Sequence, residues 1–121
     1  MSTTSVGRQA ESQAVRYLLE NNYQLIERNA RNRFYELDII ASHGETIVFI
    51  EVKYRRQQNQ GGGVAALTRD KGRHLRNAAL VWLSDRLWFN RPFRFDVIDI
   101  TGSLAAPRLT HYPDCLAFDG I

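Results

Sequence analysis

The sequence predicts an α/β fold in which a hairpin-containing mixed β-sheet is covered by helices, and two observations carry that prediction. The elements run in the order helix, three strands, helix, strand. Two strands with alternating apolar residues and β-branched content face each other across the short His43-Gly44 turn, as an antiparallel hairpin requires.

The first helix is expected from about Val6 to Asn21, with Ser5 as its cap. Its apolar stripe is Ala10, Ala14 and Leu18 with Val15 and Leu19. Asn21-Asn22 stops it, because asparagine tolerates the left-handed conformation at a helix end. Strands follow at roughly Gln24 to Asn29, Phe34 to Ser42 and Glu45 to Tyr54. Gln57 to Gly63 is a polar, glycine-rich loop. The second helix runs from about Thr68 to Asp85, with Leu75, Ala79, Trp82 and Leu83 as its apolar face and Gly72 as a weak point. Phe93 to Thr101 reads as a buried strand and Arg108 to Tyr112 as a further short one. Trp82 and Trp88 read as core residues.

A chain of 121 residues is one ordinary domain, 1–121, and its apolar and charged content is that of a soluble globular protein. The net charge of +3 says little by itself, but its distribution says more. Lys53 to Arg76 holds seven basic residues and only Asp70, leaving the remainder net negative. Such asymmetry suggests a polyanion-facing patch, although a charge run is more often a solvated face. The single cysteine, Cys115, excludes an internal disulfide and a Cys-rich zinc site, and fits a reducing compartment. His43, His74 and His111 are too scattered for a zinc pattern. No signal peptide and no membrane span is read, so the expected address is the cytoplasm.

The chemistry is concentrated in Glu36-Leu37-Asp38-Ile39-Ile40 and Val48-Phe49-Ile50-Glu51-Val52-Lys53. Alternation places Leu37, Ile39 and Ala41 on one side of the first strand and Glu36 and Asp38 on the other. It likewise sets Phe49, Glu51 and Lys53 against Val48, Ile50 and Val52. If the strands pair, Asp38, Glu51 and Lys53 converge. Hard oxygen ligands for Mg²⁺ beside an ammonium are what metal-dependent phosphodiester cleavage requires. The competing reading is an ion-pair ladder on a solvated face. Phe49 and Ile40 count against it, since they make that face partly apolar and covered.

These residues resemble a known family. Gly7 with Glu11, Arg28-Asn29, Glu36-Leu37-Asp38-Ile39-Ile40-Ala41, Phe49-Ile50-Glu51-Val52-Lys53 and Phe95-Asp96-Val97 look like the bacterial YraN-like proteins. That family is placed in the restriction-endonuclease-like PD-(D/E)XK nuclease superfamily, and the chain is similar over nearly its whole length. The order of early glutamate, sheet aspartate and E-x-K strand is also similar to that of archaeal Holliday-junction resolvases.

The resemblance implies a restriction-endonuclease-like fold, with a central mixed β-sheet flanked by helices, and a Mg²⁺- or Mn²⁺-dependent endonuclease acting on DNA, with branched or structured DNA among the expected substrates. A non-catalytic nucleic-acid-binding module on the same fold is the alternative. Asp38 corresponds to the metal-ligating aspartate, Glu51 to the second carboxylate and Lys53 to the lysine near the scissile phosphate. Glu11 matches the early glutamate, a further ligand; its plain reading is an exposed helix carboxylate, and the sequence does not separate the two. Glu36 is either an alternative acid or an arginine's structural partner. Arg69, Arg73 and Arg76 at helix spacing, and Arg55 and Arg56 extending from the catalytic strand, are the expected nucleic-acid contacts. A homodimer is an expectation by analogy with the resolvases. The chain departs from the family pattern twice: Tyr35 stands where a glycine usually precedes Glu-x-Asp, and Asn22 replaces a glycine after the first helix.

Overall fold

A computed structural model describes residues 5–56 and 69–115. The expected glycine-rich loop, Gln57 to Gly63, and the expected start of the second helix at Thr68 lie outside them. The elements are α1 (Ser5–Glu20), β1 (Gln24–Arg31), β2 (Glu36–His43), β3 (Thr46–Arg55), α2 (Arg69–Asp85), β4 (Phe93–Thr101) and β5 (Arg108–Tyr112). The chain is therefore α/β, with one mixed sheet in the order β1-β2-β3-β4-β5 and a helix on each face.

Local sequence explains the turns. Asn22 ends α1 with φ 71°, which is why a glycine suits that position and asparagine replaces it at little strain. The two residues Gly44 and Glu45 join β2 to β3 beneath the His43↔Thr46 pair, and Gly44 takes φ 63°, as the first position of a type II′ hairpin turn demands. β1, β2 and β3 are consecutive antiparallel neighbours, whereas β3 and β4 are parallel from Ile47↔Phe93 to Arg55↔Thr101. Parallel strands need a long crossover, and α2 lies within it.

Both sheet faces are buried, so the central strands read as nearly continuous apolar runs. On one face Ala10, Ala14, Val15 and Leu18 of α1 pack on Ile39, Ala41, Val48, Ile50, Ile98 and Ile100. On the other, Leu75, Ala78, Ala79, Trp82 and Leu83 of α2 cover Leu37, Ile40, Ile47, Phe49 and Phe95. Each large side chain so buried contributes about 1.5–3 kcal/mol. Trp82 is also tied across the molecule: its Nε1 donates to Glu27 Oε1 at 2.9 Å, and Arg86 donates to the same oxygen while its guanidinium lies 4.2 Å from the Trp82 ring.

Two expectations fail. Leu19 was placed on the apolar stripe but is 52% exposed, because Leu18 and Val15 already fill the sheet-facing side. Leu37 was assigned to the side of Ile39 and Ala41, yet it packs with Ile40 beneath α2. The neighbouring strand breaks its alternation at the same level. Asn29 falls opposite Asp38, between the pairs Arg28↔Ile39 and Ala30↔Leu37, and has φ 51°. A left-handed residue breaks the two-residue alternation, so Arg28 faces α1 while Ala30 and Leu37 face α2.

A buried ionic network joins β4 and β5 to α1. Asp96 is 1% exposed and accepts from Arg94 Nε at 3.0 Å, from Arg94 Nη2 at 3.2 Å and from the Asp114 amide at 2.9 Å. His111 Nε2 lies 2.7 Å from Asp96 Oδ2, and its Nδ1 lies 2.9 Å from the Tyr17 hydroxyl. A carboxylate only accepts, so Nε2 carries the proton toward Asp96 and, in the neutral ring, Tyr17 donates to Nδ1. Burial alone would raise the Asp96 pKa; hydrogen bonds from His111, Arg94 and the Asp114 amide outweigh it and hold the carboxyl below its ordinary value. Asp96→Ala leaves a half-buried guanidinium and the His111 imidazole without this acceptor, and should cost about 3 kcal/mol in urea denaturation at pH 7. Because the native pKa is depressed, this stabilisation is present above pH 3.8 and is lost as pH falls through the folded value. The gap between wild type and variant should therefore narrow in acid.

Candidate metal centre at the parting of two strands

The hairpin does not stay closed. β2 and β3 pair only from His43↔Thr46 to Ile39↔Ile50, while β3 runs on to Arg55 with β4 alone on its other edge. The backbone groups freed at this parting need partners, and the Val52 amide donates to Asp38 Oδ2 at 2.9 Å. Asp38 thus takes the place of a strand.

Glu51 comes next to Asp38 from β3, and Glu11 from α1. The three carboxylates are close enough to repel: Asp38 is pushed up to about 7, first by burial, then by Glu51, with Glu11 adding to the rise and the Val52 amide and Lys71 opposing it. Glu11 is not the exposed helix carboxylate of the plain reading. Its side chain is 9% exposed, its Oε1 has no hydrogen-bond partner, and Arg28 approaches only to 3.8 Å. Burial raises the Glu11 pKa, and a hydrogen bond from the Asn29 side chain with the charges of Arg28 and Arg31 only partly offsets it. Asn29 therefore both turns β1 and holds a carboxylate of the cluster.

Two ammonium groups face this acid. Lys53 Nζ and Lys71 Nζ each lie 3.3 Å from Glu51 Oε2. Lys53 was anticipated and Lys71 was not, although a signal existed. Lys71 lies one turn before Leu75, on the stripe of α2 that packs on the sheet, so a charge there has to meet something near the core.

The expected basic contacts are dispersed. Arg55 donates to buried Asp99 from Nη2 at 2.6 Å and from Nε at 3.4 Å, so its charge is compensated within the sheet. Arg56 is exposed just past β3. Arg69 begins α2, and its side chain lies outside the description. At about 100° per residue, Arg73 projects from the helix side opposite the sheet and Arg76 from its flank, matching an exposed and a half-buried residue. Neither shares a face with Lys71. Glu36 is exposed at the start of β2. Cys115 is partly buried, and burial pushes its thiol up to about 11, in keeping with an inert packing residue.

Among the described residues no three His, Cys, Asp or Glu side chains already close on a common point. The donor chemistry nevertheless fits a divalent cation. A buried carboxylate oxygen lacks a hydrogen bond, a second carboxyl is pushed toward neutrality by burial and by its acidic neighbours, and all the donors are hard oxygens. A cation would relieve both defects. Because the folded pKa of Asp38 is raised from 3.8 to about 7, the native state is favoured at low pH and loses that advantage as pH rises through 7. Asp38→Asn, which keeps an oxygen for the Val52 amide, should stabilise the metal-free protein at pH 8 by on the order of 2–4 kcal/mol and change little at pH 4. In thermal melts that measure this difference, millimolar Mg²⁺ or Mn²⁺ should stabilise wild type at pH 8 and have a much smaller effect on the variant.

Comparison with known proteins finds relatives along most of the chain. The chain is 44% identical over 110 residues to a UPF0102 protein of Geobacter metallireducens, covering 91% of this chain and 90% of that one. It is 43% identical over 111 residues to a UPF0102 protein of Geotalea uraniireducens, covering 91% and 87%. A UPF0102 protein of Rhodococcus jostii is 39% identical over 113 residues, covering 91% and 94%. The match to the family described as "Uncharacterised protein family UPF0102" spans residues 10–100, from the start of the buried part of α1 through β4, and the chain belongs to that family.

Proposed function

We propose that this protein is a Mg²⁺- or Mn²⁺-dependent endonuclease of the restriction-endonuclease-like PD-(D/E)XK type, hydrolysing phosphodiester bonds in DNA in the cytoplasm. One observation carries the proposal: at the parting of β2 and β3 the buried Asp38 carboxyl, bonded to the Val52 amide, feels the charge of Glu51 and more weakly that of Glu11, and two lysine ammoniums lie on Glu51.

The residues divide the work by chemistry. Asp38, Glu51 and Glu11 would hold the cation. A bound Mg²⁺ or Mn²⁺ supplies positive charge to a phosphate and a water of lowered pKa. Asp38 is largely protonated below pH 7 without a cation, so binding releases a proton and tightens as pH rises. Lys53 is the last residue of the Glu51-Val52-Lys53 segment and reaches the same acid, which sets an ammonium where negative charge grows on phosphoryl oxygens during attack. Lys71 adds a second ammonium from the opposite wall. The buried surroundings of Asp38 strengthen each of these interactions.

A second reading, a non-catalytic nucleic-acid-binding module, is favoured by Glu51 lying between Lys53 and Lys71, an ion-pair arrangement complete in itself. Linear, single-stranded, flapped and four-way DNA incubated with the purified protein and Mg²⁺, Mn²⁺ or EDTA separates the two. Metal-dependent cleavage should fall at least about 100-fold in Asp38→Asn, Glu51→Gln and Lys53→Ala, each checked for folding by circular dichroism. DNA binding in EDTA at pH 8 should persist in Asp38→Asn, since at that pH one negative charge near phosphate is removed. Binding without cleavage by wild type on every substrate would establish the module instead. Equal cleavage by wild type and Asp38→Asn would place the chemistry elsewhere.

A further inference from the structure

Beside the carboxylates, between the β1–β2 connection and α2, lies a cleft of about 310 Å³ lined by Phe34, Tyr35, Glu36, Lys71, His74 and Val81 among others. Phe34 is 74% exposed at its edge, among the most exposed of the large apolar side chains described. An aromatic ring so far out of the core contributes little to folding. It is held there deliberately by the chain: Asn32 Oδ1 accepts from the Phe34 amide at 2.7 Å and from the Tyr35 amide at 3.1 Å, fixing the turn. The Arg33 guanidinium lies 5.8 Å from the Phe34 ring centre.

We infer that this cleft receives one unpaired nucleobase of a DNA strand whose phosphate reaches the Asp38–Glu51 centre, so that the protein selects DNA with an extruded or displaced nucleotide; the inference rests on the nuclease reading above. Three features select this occupant. The volume lies in the range of small-ligand sites and is ample for a single base. The wall combines the aromatic Phe34 and Tyr35 with Lys71 and His74, and the Arg33 guanidinium lies against Phe34, a pairing of aromatic and cationic groups that stacks bases while attracting their phosphates. Lys71 belongs to both places, since it lines the cleft and lies 3.3 Å from Glu51. A base in the cleft and a phosphate at the carboxylates are therefore neighbours along one strand. Tyr35, which occupies the place of a family glycine, supplies part of the wall, and Glu36 offers an acceptor for an exocyclic amine.

The test uses labelled duplexes in EDTA, one fully paired and one with a single extrahelical 2-aminopurine, read by anisotropy and by 2-aminopurine fluorescence. Wild type should bind the bulged duplex about 10-fold more tightly than the paired one and quench its fluorescence. Phe34→Ala should bring the affinity ratio close to one and remove the quench, whereas Phe34→Trp should keep both; the exposure of Phe34 makes unfolding an improbable confounder, and circular dichroism checks it. Equal binding of the two duplexes by wild type would overturn the cleft while leaving the nuclease reading standing. Binding of neither duplex would overturn both. A Phe34-dependent dimer in sedimentation, with no change in the affinity ratio for Phe34→Ala, would assign the ring to a second copy and overturn the inference.

Discussion

The separation of β2 from β3 after the Ile39↔Ile50 pair is the constraint on which the site depends. A strand that loses its neighbour leaves amides to be satisfied, and here the Asp38 carboxylate accepts the one from Val52. The same oxygen-bearing group therefore closes the fold and faces the other carboxylates. This dual duty explains why a site aspartate can be tested with asparagine and not with alanine: the amide oxygen still accepts from Val52, whereas a methyl group would leave the buried N–H alone. It also fixes the direction of Asp38, because a side chain bonded to the backbone of the next strand has little rotational choice.

Crowding carboxylates costs stability, and the molecule offsets that cost elsewhere. Both sheet faces carry continuous apolar cores, and the Asp96 network locks β4 and β5 to α1 with a buried carboxylate satisfied by an arginine, a histidine and an amide. The two buried aspartates thus behave oppositely. Asp96 has donors enough to lie below its ordinary pKa, while Asp38 has one amide and two acidic neighbours and is pushed up to about 7. Burial is common to both; what differs is the supply of donors, and a deficit of donors is the condition a cation can correct.

Element order, the hairpin, the apolar stripe of α2 and the β4 and β5 boundaries were legible because they rest on periodicity, which a sequence displays directly. The hairpin brings Asp38 near Glu51, which pairs with Lys53, although the ladder itself ends one pair earlier at Ile39↔Ile50. What periodicity could not show was where it breaks. Asparagine tolerates the left-handed conformation, but inside an apparent strand nothing local says that Asn29 adopts φ 51°, and strict alternation reads Leu37 and Ile39 as neighbours on one face. Long-range partners were equally hidden: Arg55 meets Asp99 forty-four residues away, and Asp96 meets His111 fifteen residues away on β5, pairings fixed by strand order and not by local spacing.

Lys71 shows how the remote core governs the site. It reaches Glu51 only because α2 lies at a set height and rotation on the sheet, and these are fixed by Leu75, Ala79 and Trp82. Trp82 lies eleven residues along the helix, about 16 Å from Lys71 at 1.5 Å per residue, and its Nε1 is anchored to Glu27 on the outermost strand, β1. A helix is stiff over that distance, so a change at Glu27 that lets Trp82 shift would move the ammonium as a lever moves its far end. The charge balance around Glu51 is in this sense a property of packing: the acid and Lys53 come from one strand, while the second cation is delivered by a helix whose position is decided at the other end.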